Sequence, residues 1–300
     1  MTPPGIEPTG ERFIPEHWGG QLVHAEHLAR YRLAAQIASG RRVLDVACGE
    51  GYGTALLASA GAREVVGIDV DRATVAHARE HHGVDARLGD IGALPFDDDS
   101  FDLVVSFETI EHVQEPERAL DEMARVRAPG GHVLISTPNA GEYLVENEFH
   151  VREFGHDEFV NLLRERFASV RLLYQHNWLT SAILDEDGLA QADGAEPLEL
   201  GLTKVKGVRP GDELYLVALC GEDTQGGLEA TGVMAGTDEA HLLAHRLDDA
   251  LRTQQRLNQD VQDAQRRLEE IRETARWMRS TWSWRMTKPL RLPGRLRRRR

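Results

Sequence analysis

Glu108, Glu111 and His112 stand three and four residues apart. On a helical turn that spacing puts two carboxylates and an imidazole on one side. Such a set can bind a divalent ion or pair a base with the group that orients it. A second candidate base, His150, lies in the run Asn147-Glu148-Phe149-His150-Val151-Arg152-Glu153-Phe154. Another chemistry is written upstream. The apolar run Val43-Leu44-Asp45-Val46 stops at Ala47-Cys48-Gly49-Glu50-Gly51-Tyr52-Gly53, and a second run ends in Gly67-Ile68-Asp69-Val70-Asp71. Glycines let a backbone approach a ligand closely, and a carboxylate ~20 residues downstream suits both hydroxyls of a ribose. Asp69 follows Gly51 by eighteen residues. The dinucleotide fingerprint G-x-G-x-x-G is not met, because its third glycine position falls on Thr54.

These residues need a sheet to bring them together. Leu22, Leu28, Leu33 and Ile37 give residues 22–39 a helical period, with Gly40 as a stop. Strands and helices then alternate to about residue 136, as a parallel sheet requires. Arg87-Leu88-Gly89-Asp90-Ile91 closes the third short apolar segment and Phe101–Phe107 reads as a buried fourth strand. The turn Ala128-Pro129-Gly130-Gly131 leads into a fifth strand, His132–Asn139. A helix near His156–Arg166 precedes two last strands, Val170–Tyr174 and Glu213–Leu219, and residues 175–212 read as an insertion near the site. The expectation is an α/β chain: a Rossmann-like, seven-stranded, mostly parallel sheet with helices on both faces, its site at the carboxyl ends of the strands.

Asp45, Ala47, Gly49 and Gly51 resemble motif I of the class I S-adenosylmethionine-dependent methyltransferases, roughly D-x-G-x-G-x-G, with Ala47 in place of the first glycine. The resemblance covers residues 40–220 and implies S-adenosylmethionine as cofactor. It implies that Ala47, Gly49 and Gly51 line the methionine part, with Asp45 near its ammonium and Cys48 also among the cofactor residues. Asp69 and Val70 would serve the ribose end, Asp90 and Ile91 the adenine, and Phe107 completes the set. The last two strands would form an antiparallel hairpin at the sheet edge.

The E-x-x-E-H run resembles that of ubiquinone-pathway O-methyltransferases, which implies a divalent cation on Glu108, Glu111 and His112. Read as acid-base groups instead, the catalytic candidates are His112, Glu111 and His150. Enzymes that methylate exocyclic base amines or glutamine amides usually present Asn- or Asp-Pro-Pro-Tyr after the fourth strand. Here the residues are Ser106-Phe107-Glu108-Thr109, which favours an oxygen acceptor.

Residues 9–15, the glycine turn, Ser136-Thr137-Pro138-Asn139 and Phe149–Glu153 resemble bacterial methyltransferases of cell-surface or lipid-linked polysaccharide sugars. That implies a sugar hydroxyl as acceptor. The alternatives are a small-molecule O-methyltransferase of quinone or secondary-metabolite type, and a noncatalytic scaffold. His24, Glu26, His27, Arg30 and Tyr31 on the first helix could contact the acceptor, and Arg12 could close over the cofactor.

Composition bounds the rest. The formal charge is −14, but residues 276–300 carry ten Lys or Arg and no acid, so residues 1–275 stand at −24. An acidic surface disfavours nucleic acid. Two cysteines, Cys48 and Cys220, lack metal-ligand spacing, the N-terminus has no signal pattern, and no apolar run reaches the ~20 residues of a bilayer span. A cytoplasmic protein is expected. Residues 1–39 form an arm and helix, 40–221 the main domain, 222–238 a linker, 239–279 a coiled coil and 280–300 a basic aromatic tail.

In the coiled-coil segment Leu243, Leu247, Ala250, Gln254, Leu257, Val261, Ala264, Leu268, Ile271, Ala275 and Met278 alternate spacings of four and three, which points to a homo-oligomer. Three of the five tryptophans stand among the cations of residues 276–300, which suits peripheral attachment to a membrane or to a membrane-bound glycosyltransferase.

Overall fold

The computed structural model describes residues 22–142, 147, 149–178, 180–193, 203, 207–209, 211–225, 227–235, 238–280 and 286. The arm with Arg12, Glu148 and all of the tail except Ser280 and Met286 lie outside the described residues. The chain divides into two compact units, residues 1–236 and 237–300.

The first unit runs α1 (Leu22–Ala35), β1 (Arg42–Val46), α2 (Tyr52–Ser59), β2 (Glu64–Asp69), α3 (Arg72–His82), β3 (Asp85–Leu88) and β4 (Phe101–Phe107). After a 3₁₀ turn at Ile110–His112 come α4 (Pro116–Val126), β5 (Arg127–Pro138), α5 (His156–Arg164), β6 (Ser169–Gln175), α6 (Glu186–Asp193) and β7 (Tyr215–Gly221). All seven strands form one sheet in the order β3-β2-β1-β4-β5-β7-β6. The first five pair in parallel, and β7 runs antiparallel to both β5 and β6. This is the expected seven-stranded architecture, hairpin included. One detail differs: the Ala128–Gly131 turn lies within β5, where the register shifts between the pairs Phe101–Arg127 and Leu103–His132.

Alternation along the strands builds two cores, since successive side chains point to opposite faces. Leu44, Val104, Ile135 and Leu216 pack on one face with Leu120 and Met123 of α4 and Phe159 and Leu163 of α5. Val43, Leu103, Val105 and Leu219 pack on the other with Tyr31 and Ala34 of α1 and Leu57 of α2. The expected linker is partly tied to this unit. His132 Nε2 lies 2.8 Å from the Asp223 carbonyl, Ser169 Oγ 2.7 Å from Thr224 Oγ1, and Glu229 N donates to Gln36 Oε1 at 2.7 Å.

The second unit is the single helix α7 (Asp238–Ser280), 43 residues long. Leu257, Val261, Leu268, Ile271 and Met278, all on the heptad seam, are exposed. The helix is there; the structure of one chain does not pair it. No helix among the described residues is long and apolar enough to cross a membrane.

One bracket fixes α1 and α2 to the sheet. The Tyr31 hydroxyl donates to Asp45 Oδ1 at 3.1 Å, and Thr54 Oγ1 donates to Asp45 Oδ2 at 2.7 Å. Tyr31 lies directly over Gly53, where an added Cβ would fall inside its ring. Gly53→Ala therefore overpacks a rigid contact, and should cost about 2–3 kcal/mol in urea denaturation. Asp45 is 1% exposed, and burial pushes its carboxyl up to about 6, against the two hydroxyl donors. Its unfolded value is about 3.9, so the folded chain binds the extra proton between roughly pH 4 and 6. Stability relative to Asp45→Asn should accordingly fall as pH rises through that window, by about 2–3 kcal/mol, and be level above it. Denaturation of both proteins between pH 4 and 7.5 measures this.

Candidate active site

The turns after β1, β2 and β3 form a cradle at the carboxyl edge of the sheet. Ala47, Gly49 and Gly51 all take left-handed φ, at 60°, 54° and 87°. For alanine this conformation costs about 1–2 kcal/mol, which Ala47 bears where the family motif has glycine. Gly51 needs its missing side chain because a Cβ would lie 2.7 Å from that of Ala78 on α3. Above Gly49 the opposite holds: among the described residues nothing lies within 4 Å of where a Cβ would point. That open space over a bare backbone is what a ligand pressed against the turn requires.

Asp69, at the end of β2, is 6% exposed and accepts from the amides of Gly49 at 3.1 Å and Asp71 at 2.9 Å. Beside it Val70 is 71% exposed, an apolar side chain in solvent at the cradle's rim. Asp90 accepts from the Gly92 amide at 2.8 Å, and Ile91 is half-buried. The side chain of Cys48 turns inward towards Gly67, and burial pushes its thiol up. Phe107 is buried edge-on against Tyr31, with centroids 5.1 Å apart. Glycine turn, ribose carboxylate and adenine-end residues thus share one edge, and they fit a nucleoside.

The residues after β4 are arranged differently from the sequence expectation. An α-helical turn starting at Glu108 would have put Glu108, Glu111 and His112 on one face. Instead Glu108 takes φ 51° and the following turn is a 3₁₀ helix covering only Ile110–His112. Glu108 Oε1 accepts from Ser136 Oγ at 2.7 Å and lies 3.5 Å from Arg30 Nη1. Glu111, 1% exposed, accepts from Thr137 Oγ1 at 3.0 Å. His112 Nδ1 lies 3.0 Å from the Phe149 carbonyl, and the rings of His112 and His150 meet edge-on at 4.8 Å.

The ligand-type atoms that converge, within 4.8 Å of one another, belong to Glu111, His112 and His150. Glu108 is not among them. It faces a guanidinium, whose charge opposes a second cation, so Glu108, Glu111 and His112 do not fit a shared divalent ion. Burial and then the Glu108 charge raise the Glu111 carboxyl well above the usual range, favouring its neutral form. Burial also raises Glu108, but Arg30 and the Ser136 hydroxyl pull it back.

Arg30 and Glu26 of α1 anchor a wider polar cluster. Arg30 is 2% exposed, donates from Nη1 to Gln175 Oε1 at 2.9 Å and stacks 4.7 Å over the Tyr215 ring. Its Nε and Nη2 have no hydrogen-bond partner among the described residues. Glu26 accepts from the Tyr215 hydroxyl at 2.8 Å and from Asn177 Nδ2. His27 is held well below its usual range by burial and by Arg30. Sequence reasoning had Glu26, Arg30 and Tyr31 on the first helix but missed Gln175, Asn177 and Tyr215. Tyr215 meets Glu26 across 189 residues, and no local pattern marks such a pairing.

Comparison with known proteins now bears on this geometry. A family model described as a methyltransferase domain matches residues 44–135. A probable S-adenosylmethionine-dependent methyltransferase of Mycolicibacterium smegmatis (strain ATCC 700084 / mc(2)155) is 36% identical over 223 residues, covering 71% of this chain and 84% of the relative. A second protein so described, from Mycobacterium tuberculosis (strain CDC 1551 / Oshkosh), is 38% identical over 161 residues, 52% of this chain and 58% of its own length. In fold, the chain is similar to the crystal structure of the PH0226 protein from Pyrococcus horikoshii OT3, with a TM-score of 0.52 at 18% identity, covering 72% of this chain and 99% of that one. With the glycine turn, the carboxylate that ends β2 and the sheet order already in place, the chain belongs to the S-adenosylmethionine-dependent methyltransferases.

Proposed function

We propose that this methyltransferase O-methylates a sugar hydroxyl of a cell-surface polysaccharide or glycolipid precursor. The observation that carries the reading is the polar cluster of Glu26, Arg30, Glu108, Gln175, Asn177 and Tyr215 where α1 meets the strand ends. Carboxylates accept from sugar hydroxyls, while guanidinium and amide donate to them. A quinone ring offers nothing to the Arg30 Nε and Nη2 donors, which have no hydrogen-bond partner among the described residues, and an unmet buried donor costs about 1–3 kcal/mol.

In this reading Gly49 and Gly51 hold the methionine segment, with Asp45 supplying the carboxylate near its ammonium. Asp69 takes the ribose hydroxyls, and Asp90 the adenine amino group, with Val70 and Ile91 flanking the ring. Bound there, S-adenosylmethionine supplies an electrophilic methyl group. The chain's own residues contribute orientation and acceptance of the hydroxyl proton.

A second part of the proposal concerns α7. Its partner is a second copy of this chain, because the seam holds one register over five heptads and its apolar residues are exposed. The basic tail would then hold the assembly at the cytoplasmic face of the membrane, where lipid-linked acceptors are made.

Two measurements test these readings. Incubation with methyl-labelled S-adenosylmethionine should label methyl α-D-mannopyranoside, methyl α-D-glucopyranoside or fractionated envelope glycans in preference to demethylmenaquinone. Label in the quinone alone overturns the sugar reading, and absence of cofactor binding by calorimetry promotes the scaffold. In sedimentation equilibrium the full chain should be oligomeric and Leu257→Asp/Val261→Asp monomeric. Equal mass for both rejects the coiled coil.

A further inference from the structure

Resting on the O-methyl reading, we propose that Glu108 is the group that receives the acceptor's hydroxyl proton, and that Arg30 and Ser136 are positioning residues that aim it. Glu108 is the first residue after β4, the strand lying between β1, which opens into the cofactor cradle, and β5, which carries Ser136. Its φ of 51° is a conformation that side-chain-bearing residues rarely hold, and such strain persists where the surroundings over-determine it. Here they do. The Glu108 amide donates to Ser136 Oγ at 3.2 Å while the same hydroxyl donates back to Oε1.

Both fixed contacts fall on one oxygen. Ser136 and Arg30 Nη1 reach Oε1, so Oε2 is left without a protein partner among the described residues. The side chain is 14% exposed, whereas that of Arg30 behind it is 2% exposed. A ligand can therefore meet Glu108 without displacing the guanidinium. The other candidates stand in different surroundings. Glu111 is 1% exposed and held towards its neutral form, His112 Nδ1 is engaged with Phe149 O, and His150 Nδ1 with Glu153 Oε1 at 2.5 Å.

Burial makes Glu108 more basic than a surface carboxylate, and Arg30 keeps it from holding its proton permanently. A base works best with its proton affinity near the operating pH. In the step, the acceptor O–H breaks and its proton passes to Glu108 Oε2. The oxygen's electron pair forms the bond to the methyl carbon as the carbon–sulfur bond breaks, its pair leaving on sulfur. The products are a methyl ether and S-adenosylhomocysteine, and Glu108 returns the proton to water.

Two independent arms test this. With ¹³C-carboxyl glutamate labelling, the Glu108 signal is the one absent from Glu108→Gln. Arg30→Met should raise its titration midpoint by about one unit, a tenfold gain in proton affinity, and Arg30→Lys should restore most of the shift. Thermal melts and S-adenosylhomocysteine binding check that the variants fold. With methyl α-D-mannopyranoside as acceptor, Glu108→Gln should lower kcat about 100-fold or more with KM changed less than about threefold, and Glu108→Asp should recover part of it. His112→Gln should cost less than about tenfold. A Glu108 midpoint unmoved in folded Arg30→Met overturns the proposal whatever the acceptor. So does Glu108→Gln at full kcat. If wild type methylates demethylmenaquinone and neither glycoside, the methyl goes to a ring carbon, so the O-methyl reading and the proton transfer resting on it both fail, while a shifted Glu108 midpoint in Arg30→Met still identifies the positioning pair.

Discussion

The closest approach of α1 to the glycine turn is the Tyr31 ring lying on the bare backbone of Gly53 with its hydroxyl on Asp45. Any side chain at residue 53 would push the helix off the sheet. Everything that α1 delivers to the strand ends rests on that approach. Arg30 is the residue before Tyr31, and Glu26 precedes Arg30 by four, one helical turn away. The same glycine-rich segment therefore does two jobs. The segment leaves the space above Gly49 open among the described residues, and at Gly53 it leaves room for the helix that brings Arg30 and Glu26.

Charge is the second constraint. Arg30, Glu26, Glu108 and Glu111 are buried or nearly so, at a place where an isolated charge is costly. Arg30 balances Glu108, while burial and the Glu108 charge push the Glu111 carboxyl towards its neutral form. Burial raises both carboxyls, and Arg30 and the Ser136 hydroxyl oppose that rise at Glu108. Buried carboxyls raised in this way lower stability at neutral pH, as Asp45 does under the cofactor turn. The fold carries that cost at both ends of its working edge, and the apolar packing on the two sheet faces has to offset it.

Much of this was legible in the sequence because the relevant signals are local. The glycine turn, the carboxylate ending β2 and the alternation of apolar runs each lie within a dozen residues, and they specified the parallel sheet, while the antiparallel hairpin followed from the family resemblance. The E-x-x-E-H run was legible as chemistry but not as geometry. Its i, i+3, i+4 reading presumed α-helix, whereas the left-handed turn at Glu108 and the short 3₁₀ turn send the side chains to Arg30, Thr137 and the histidine pair. A positive φ at a glutamate has no sequence signal. The partners of Glu26 and Arg30 were hidden for a different reason. Tyr215, Gln175 and Asn177 come from the far end of the sheet, and only the completed hairpin sets them beside α1.

The hairpin order also explains why the polar cluster forms where it does. Because β7 is inserted between β5 and β6, its first residue lies level with the end of β5, and Tyr215 pairs with Pro138 on one side and Gln175 on the other. The beginning of β7 and the ends of β5 and β6 thus meet at the edge where β4 delivers Glu108. A β6 joined directly to β5 would put Gln175 there without the Tyr215 ring beneath Arg30. The guanidinium would lose the surface it stacks on, and Glu26 the hydroxyl that holds it. The antiparallel strand is therefore as much a part of this polar cluster as the helix above it.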